Sequence, residues 1–229
     1  MIRVGFSLRV MDILELSTRL AVFFVPFLFS LCFHEYAHGW VARLRGDHTA
    51  EQMGRLTMNP ISHIDPIGTL LLPIMSVLFH SPVSFGWAKP VPVNSRNLKN
   101  PRSDMLWVAL AGPASNIFLA VVGCLLLVAA AKFLSGATYY EGLLSLLKAF
   151  IGVNLFLAFF NLIPINPLDG GKVLGRFLSP SLNQKLEQHQ NMTSLLLLIL
   201  ILSGGIQFLA IPVEWTYQMM IHTALGIIS

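Results

Sequence analysis

Long apolar stretches alternate with short polar, proline-rich ones along this chain. The first runs from Ile13 to Arg43 and carries no charged residue between Leu20 and Phe33. It exceeds the roughly 20 apolar residues a membrane-spanning helix needs. Pro26 lies inside it and is expected to kink or loosen that helix. Asp104 to about Leu134 and Leu143 to Ile163 read as two further spans. Thr193 to Leu202 opens a fourth, which the pattern carries past Gly204-Gly205 to Ile211. A last helix follows Pro212. Its polar residues Glu214, Gln218 and His222 are four apart and form a stripe, which either packs inward or lies at the membrane interface. Residues 67–79 are apolar too, but too short for a full span and interrupted by Pro73, so a half-helix or re-entrant hairpin is predicted. In Gly86-Trp87-Ala88-Lys89-Pro90-Val91-Pro92-Val93-Asn94, Val91 and Val93 alternate between prolines. That is either a short extended edge able to pair with an unwound segment or a plain loop.

The polar segments set the orientation. Residues 1–12 read as an interfacial lead-in, 43–66 and 81–103 as loops, and 172–190 as a polar loop. Segments 43–66, 81–103 and 170–190 together carry ten of the fifteen Lys and Arg residues. Positive loops face the cytoplasm. All three share that side only if 67–79 does not cross, so charge bias and segment length agree. The first and third spans then both run from outside to inside.

Composition places the chain in the same class. Of 229 residues 55% are hydrophobic and 11% charged, where a soluble domain carries about 25% charged residues. The net charge of +4 fits basic loops on anionic lipid better than a nucleic-acid surface, for which no dense basic patch exists. Cys32 and Cys124 lack metal-site or redox spacing and read as small buried residues. The expected fold is an all-α polytopic membrane protein with about four to six transmembrane helices and a re-entrant or short β-loop element. It forms a single domain over 1–229, with a core at about 13–175 and C-terminal helices at about 190–229.

Chemistry enters with His34-Glu35-Tyr36-Ala37-His38 on the first span. Histidines four apart share one helix face and can hold one zinc ion, and Glu35 beside them can serve as general base toward water activated there. Such a cluster is costly in lipid unless it is used. Zinc peptidases take three protein ligands. Two prolines and a Gly-Gly pair dismantle the end of the third span at Asn161-Leu162-Ile163-Pro164-Ile165-Asn166-Pro167-Leu168-Asp169-Gly170-Gly171. Asp169 is the one acidic residue there and the best third ligand. Asn161 and Asn116 are candidate donors to an oxyanion or a substrate strand, with an interhelical hydrogen bond as the competing role for each. His48 and His63 read as loop histidines.

The His34–His38 motif, Gly112-Pro113-Ala114-Ser115-Asn116 and the Asn161–Gly171 segment occur in an order that resembles the site-2 proteases, the M50 family of intramembrane zinc metalloproteases. The resemblance implies one Zn2+ on His34, His38 and Asp169, Glu35 as base and acid, and Asn161 as a substrate or transition-state contact. It also implies that 86–94 corresponds to a membrane-associated β-loop that receives substrate. The 135–142 segment is too short to hold the PDZ domain some members insert, and no CBS domain is expected after the last helix.

The expectation is therefore a zinc metalloendopeptidase that cleaves transmembrane segments of membrane proteins. Its partners are a transmembrane protein substrate and the lipid bilayer, with no nucleic acid, and the oligomeric state is open. It is expected in a prokaryotic cell (inner) membrane with its active site toward the cytoplasm. The competing class is a catalytically silent membrane zinc scaffold, against which the intact Glu35 argues. A metal transporter would want more acidic or histidine residues on successive spans.

Overall fold

The structure is a computed structural model that describes residues 13–78 and 86–226. The lead-in at 1–12, the 79–85 stretch and the last three residues lie outside the described residues. The chain folds into helix α1 (Ile13–Leu44), a one-turn helix α2 (Thr49–Gln52) and α3 (Leu72–Leu78). The long α4 (Pro101–Phe133) and α5 (Tyr140–Asn161) follow. After them come α6 (Asp169–Gly175), α7 (Pro180–Gln188), α8 (Gln190–Leu202) and α9 (Ala210–Gly226).

Among the described residues three helices are long and apolar enough to cross a membrane: Ser17–Leu44, Pro101–Phe133 and Tyr140–Asn161. The protein is an all-α polytopic membrane protein. Its outward faces carry Ile117, Phe118, Val121 and Leu125 on α4 and Leu195, Leu196 and Ile199 on α8. In water this would be a liability; in lipid it is the solvated surface.

The interior is built where α1, α4 and α5 meet. Small residues let them approach closely: Ala109, Ala120 and Gly123 on α4 present little bulk, and a Cβ at Gly123 would stand 2.8 Å from Ile151. Ala120, Cys124, Ile151 and Leu155 form one buried cluster, against which α9 lays Val213, Tyr217, Met220 and Ile221. Phe27, Leu31, Ala88 and Leu157 form a second, which brings the 86–94 segment onto α1 and α5. Cys32 and Cys124 are buried and free.

The short apolar run folds as a half-helix, starting with a wide π-type turn at Pro66–Leu71 that leads into α3. Asp65 caps its start: one carboxylate oxygen accepts from Ile67 N (3.0 Å) and Gly68 N (2.7 Å).

The structure corrects or sharpens several expectations. α1 is helical on both sides of Pro26, which is fully buried. Among the described residues 86–94 forms no strand; it is irregular backbone anchored by side chains. The 172–190 segment is not a plain loop. α6 fills its first turns, and α7 starts on Ser179-Pro180, whose serine hydroxyl accepts from Leu182 N at 3.4 Å and whose proline occupies the first turn. The fourth span is bent. The chain turns by 82° between Gln190–Ile201 and Gly205–Ala224, with Gly204 in the left-handed region at φ 77°. These two pieces make a fourth span only if counted together as one bent element. The stripe on α9 faces outward, with Gln218 Nε2 donating to Glu214 Oε1 at 2.5 Å, while the opposite apolar face packs on the core.

Candidate metal centre

The site assembles at the meeting of three elements. α1 contributes His34 and His38 one turn apart. α5 ends at Asn161, the chain passes through the proline-rich bend, and α6 begins with Asp169, which is 5% exposed. α6 docks this closely because residues 170 and 171 are glycines; a Cβ at either would overlap the backbone of the bend or Asn166.

Three atoms converge. His34 Nε2 and His38 Nε2 are 2.9 Å apart, and each lies 3.1 Å from Asp169 Oδ2. Ligand atoms of a tetrahedral zinc site, about 2.0–2.2 Å from the metal, stand little farther apart than this. The hydrogen bonds on the far sides of the rings fix what these atoms are. His38 Nδ1 sits 2.7 Å from the carbonyl of Val108, which can only accept, so Nδ1 carries a proton and in the neutral ring Nε2 is left with the lone pair. His34 Nδ1 sits 2.6 Å from Asn116 Oδ1. The amide of Asn116 is oriented in turn. Its Nδ2 donates to Asn154 Oδ1 (2.9 Å) and Ser30 O (3.4 Å), while Asn154 Nδ2 donates to the carbonyl of Phe150 (2.8 Å). A backbone acceptor at the end of this relay thus sets the tautomer of His34.

With neutral imidazoles, the form that binds a metal, two Nε2 lone pairs and a carboxylate oxygen point at one another. That arrangement is repulsive by itself and favourable around a cation, so the donor set fits zinc. α4 leaves room beside it at Gly112. A Cβ there would lie 2.5 Å from His34 Nε2 and closer still to His38 Nε2. Asp169 turns its second oxygen, Oδ1, toward Lys172 Nζ at 3.5 Å.

A cavity of about 270 Å³ opens on this cluster, lined by Glu35, Asn161, Pro90, Val91 and Lys172 among others. Glu35 Oε2 accepts from the backbone N–H of Val91 at 2.7 Å, so the 86–94 segment forms a wall of the site and holds the carboxylate. That segment is itself tied down. Arg55 Nη2 donates to the carbonyls of Lys89 (3.0 Å) and Pro90 (3.2 Å), and Lys89 N donates to His63 O at 2.9 Å. Asp47, 1% exposed, accepts from Asn94 N (2.7 Å), Asn97 Nδ2 (3.0 Å) and Thr49.

The structure thus brings His34, Glu35, His38, Asp169 and Asn161 to one cavity. Asn161 Nδ2 donates to Leu157 O within its own helix at 3.0 Å. Asn116 is placed differently from an oxyanion donor: it is fully buried behind His34, with both ends of its amide engaged. His48 pairs with Glu51 (2.8 Å) and His63 with the Thr57 carbonyl (2.8 Å), and neither joins the cluster. Sequence reasoning missed Asn154, the Val91 amide and the Asp47 knot. Asn154 had a signal, a lone amide within an apolar span. The Val91 contact had none, since it depends on where an irregular segment comes to rest.

Fold and site together define an all-helical polytopic membrane protein with a buried His-His-Asp cluster able to hold a metal. Comparison with known proteins agrees. Residues 127–203 match the model of peptidase family M50. The protein named "Putative zinc metalloprotease YwhC" of Bacillus subtilis is 38% identical over 178 residues, covering 77% of this chain and 78% of that protein. "Putative zinc metalloprotease Rip2" of Mycolicibacterium smegmatis is 30% identical over 180 residues, 78% of this chain and 66% of that one. The Rip2 of Mycobacterium tuberculosis strain H37Rv is 31% identical over 180 residues, 77% and 64% of the two chains. No solved structure matches. The chain belongs to peptidase family M50, the site-2 protease family, and its His34-His38-Asp169 cluster could hold a metal ion.

Proposed function

We propose that this protease is an intramembrane endopeptidase that hydrolyses peptide bonds in transmembrane segments of other membrane proteins. In this reading His34, His38 and Asp169 hold the zinc and Glu35 moves the proton. The observation that carries it is the convergence of three lone-pair atoms on one cavity that Glu35 also lines, on elements that include two membrane-spanning helices.

Zinc, when bound, supplies Lewis acidity, which polarises a carbonyl and acidifies water. The chain supplies the rest. The Val91 amide holds Glu35 Oε2 and leaves Oε1 to take a proton from water and deliver it to the leaving amine nitrogen. Water oxygen joins the carbonyl carbon, the C–N bond breaks, and a carboxylate and an amine result. Asn161, at the cavity wall, is the candidate contact to the substrate backbone. A helical amide is shielded by its own hydrogen bonds, so the substrate must unwind locally, and the wall at Pro90–Val93 offers backbone beside which it can lie. Asn116 and Asn154 act by orienting His34, as outer partners of metal-ligating histidines do.

The basic segments around α2, the 86–103 stretch and α6–α7 support a cytoplasmic side for the cavity. In this reading the whole chain works as one domain in a prokaryotic cell membrane. A silent zinc scaffold would have no use for the carboxylate of Glu35 at the cavity wall. The test is Glu35→Gln in purified, zinc-loaded protein reconstituted with a transmembrane substrate. Cleavage is expected to fall by about 10²–10⁴-fold with zinc content unchanged. Cleavage at the wild-type rate would sink the proposal.

A further inference from the structure

A second cavity, of about 580 Å³, lies beside the metal centre and shares Met105, Pro167 and Lys172 with it. Its charge is one-sided. Arg102 from α4, Lys172 from α6 and Arg176 at the C-terminal cap of α6 line it, against one carboxylate, Glu187, which Asn183 Nδ2 already engages at 2.8 Å. Lys172 and Arg176 are four apart in helical backbone and so follow one another along one face. Lys172 stands at the junction. Its ammonium reaches Asp169 Oδ1 at a long 3.5 Å, and its side chain is 49% exposed, so it is loosely held. Arg102 spends one N–H on the carbonyl of Leu178. Among the described residues the guanidinium of Arg176 has no carboxylate partner.

Hydrolysis of a peptide bond leaves a carboxylate next to Asp169 and Glu35, two groups of the same sign. Of the cationic side chains, Lys172 lines both cavities, and Arg176, four residues on, lines the second. We propose that this basic cavity is a product subsite that draws the newly formed peptide carboxylate away from the metal centre, from Lys172 to Arg176. The inference rests on the peptidase reading above, because that reaction creates the ligand. Arg176 is the stronger anchor, since its planar fork can grip both carboxylate oxygens.

The experiment uses zinc-loaded, detergent-solubilised full chain and two short apolar peptides that differ only at the C-terminus, a free carboxylate against a carboxamide. Binding is measured directly by calorimetry, apart from any cleavage assay. The acid is expected to bind about tenfold more tightly than the amide, the size of a charge-assisted hydrogen bond. Arg176→Gln is expected to bring the two within about twofold, and Arg176→Lys to restore part of the preference. Melting temperature and zinc content confirm that each variant is folded. Equal binding of acid and amide to the wild type overturns the proposal. So does a preference that survives intact in both Arg176→Gln and Lys172→Gln, which would assign the carboxylate to the metal alone. A chain that shows the acid preference yet cleaves no transmembrane segment would count against the peptidase reading and leave the anion subsite standing.

Discussion

The metal-centre half and the C-terminal half of this chain are held by different forces. Around His34 and His38, polar groups at depth are tied to partners on other elements: His34 to Asn116, Asn116 to Asn154, His38 to Val108, Glu35 to Val91. Each bond has a direction, and together they fix rotamers, tautomers and the distance between helices. The C-terminal pair is held by apolar contact. Phe160, Leu168, Leu197, Ile206 and Leu209 cluster there, while Glu214 and Gln218 look outward and bond to each other. Apolar packing sets proximity but not angle, so nothing there demands one geometry as the first half does. Substitutions in the two halves should accordingly separate metal binding from mere stability.

The largest effect is expected at Gly112. An alanine there places a methyl group against both ligating nitrogens, so Gly112→Ala should drive zinc content toward zero and abolish cleavage, read by metal analysis of purified protein. Asn154→Leu touches no ligand yet removes the acceptor that orients Asn116. Zinc affinity should weaken by about 10–100-fold in chelator competition. Unchanged affinity would mean that the relay only packs the helices.

The Asp47 knot comes next. Burial alone would raise the Asp47 carboxyl, but hydrogen bonds from Thr49, Asn97 and Asn94 outweigh it and hold the group below the usual aspartate value. A folded-state value below the unfolded one stabilises the fold above the unfolded value, and that share is lost as pH falls through the folded value. Asp47→Ala should therefore cost about 1–3 kcal/mol near neutrality, read by thermal unfolding. The gap to wild type should shrink in acid below the usual aspartate range. A gap that is constant with pH would show that the carboxylate charge is not what holds the 94–97 turn.

The smallest effect belongs to the C-terminal half. Gly204→Ala forces a side chain into the left-handed region and should cost about 1 kcal/mol of stability. With Gln207 Nε2 at 3.4 Å from the added methyl, no clash compounds it, and zinc affinity should be unchanged. A large loss of zinc in Gly204→Ala would erase the distinction between the halves.

The same division explains what could be read from the chain. His34, His38 and Asp169 were legible because polar residues at membrane depth have few uses, and a His-Glu-x-x-His face asks for a third ligand. The three full spans were legible from length and apolarity, with ends that shift by up to three residues. The bend at Gly204 was not, since the Gly204-Gly205 pair inside an apolar run fits both a straight helix and a turn. α7 hid for another reason: its polar composition reads as loop, and the Ser179-Pro180 start was not read as a cap. The resting place of 86–94 depends on Asp47, Arg55 and His63 acting at a distance in sequence, which no local pattern records.

The most direct test is the position of the metal itself, located by anomalous diffraction at the zinc edge in crystals of the zinc-loaded protein. One site is expected, within about 2.0–2.2 Å of His34 Nε2, His38 Nε2 and Asp169 Oδ2. A zinc ion bound by the two histidines but beyond bonding distance of Asp169 would contradict the three-ligand centre.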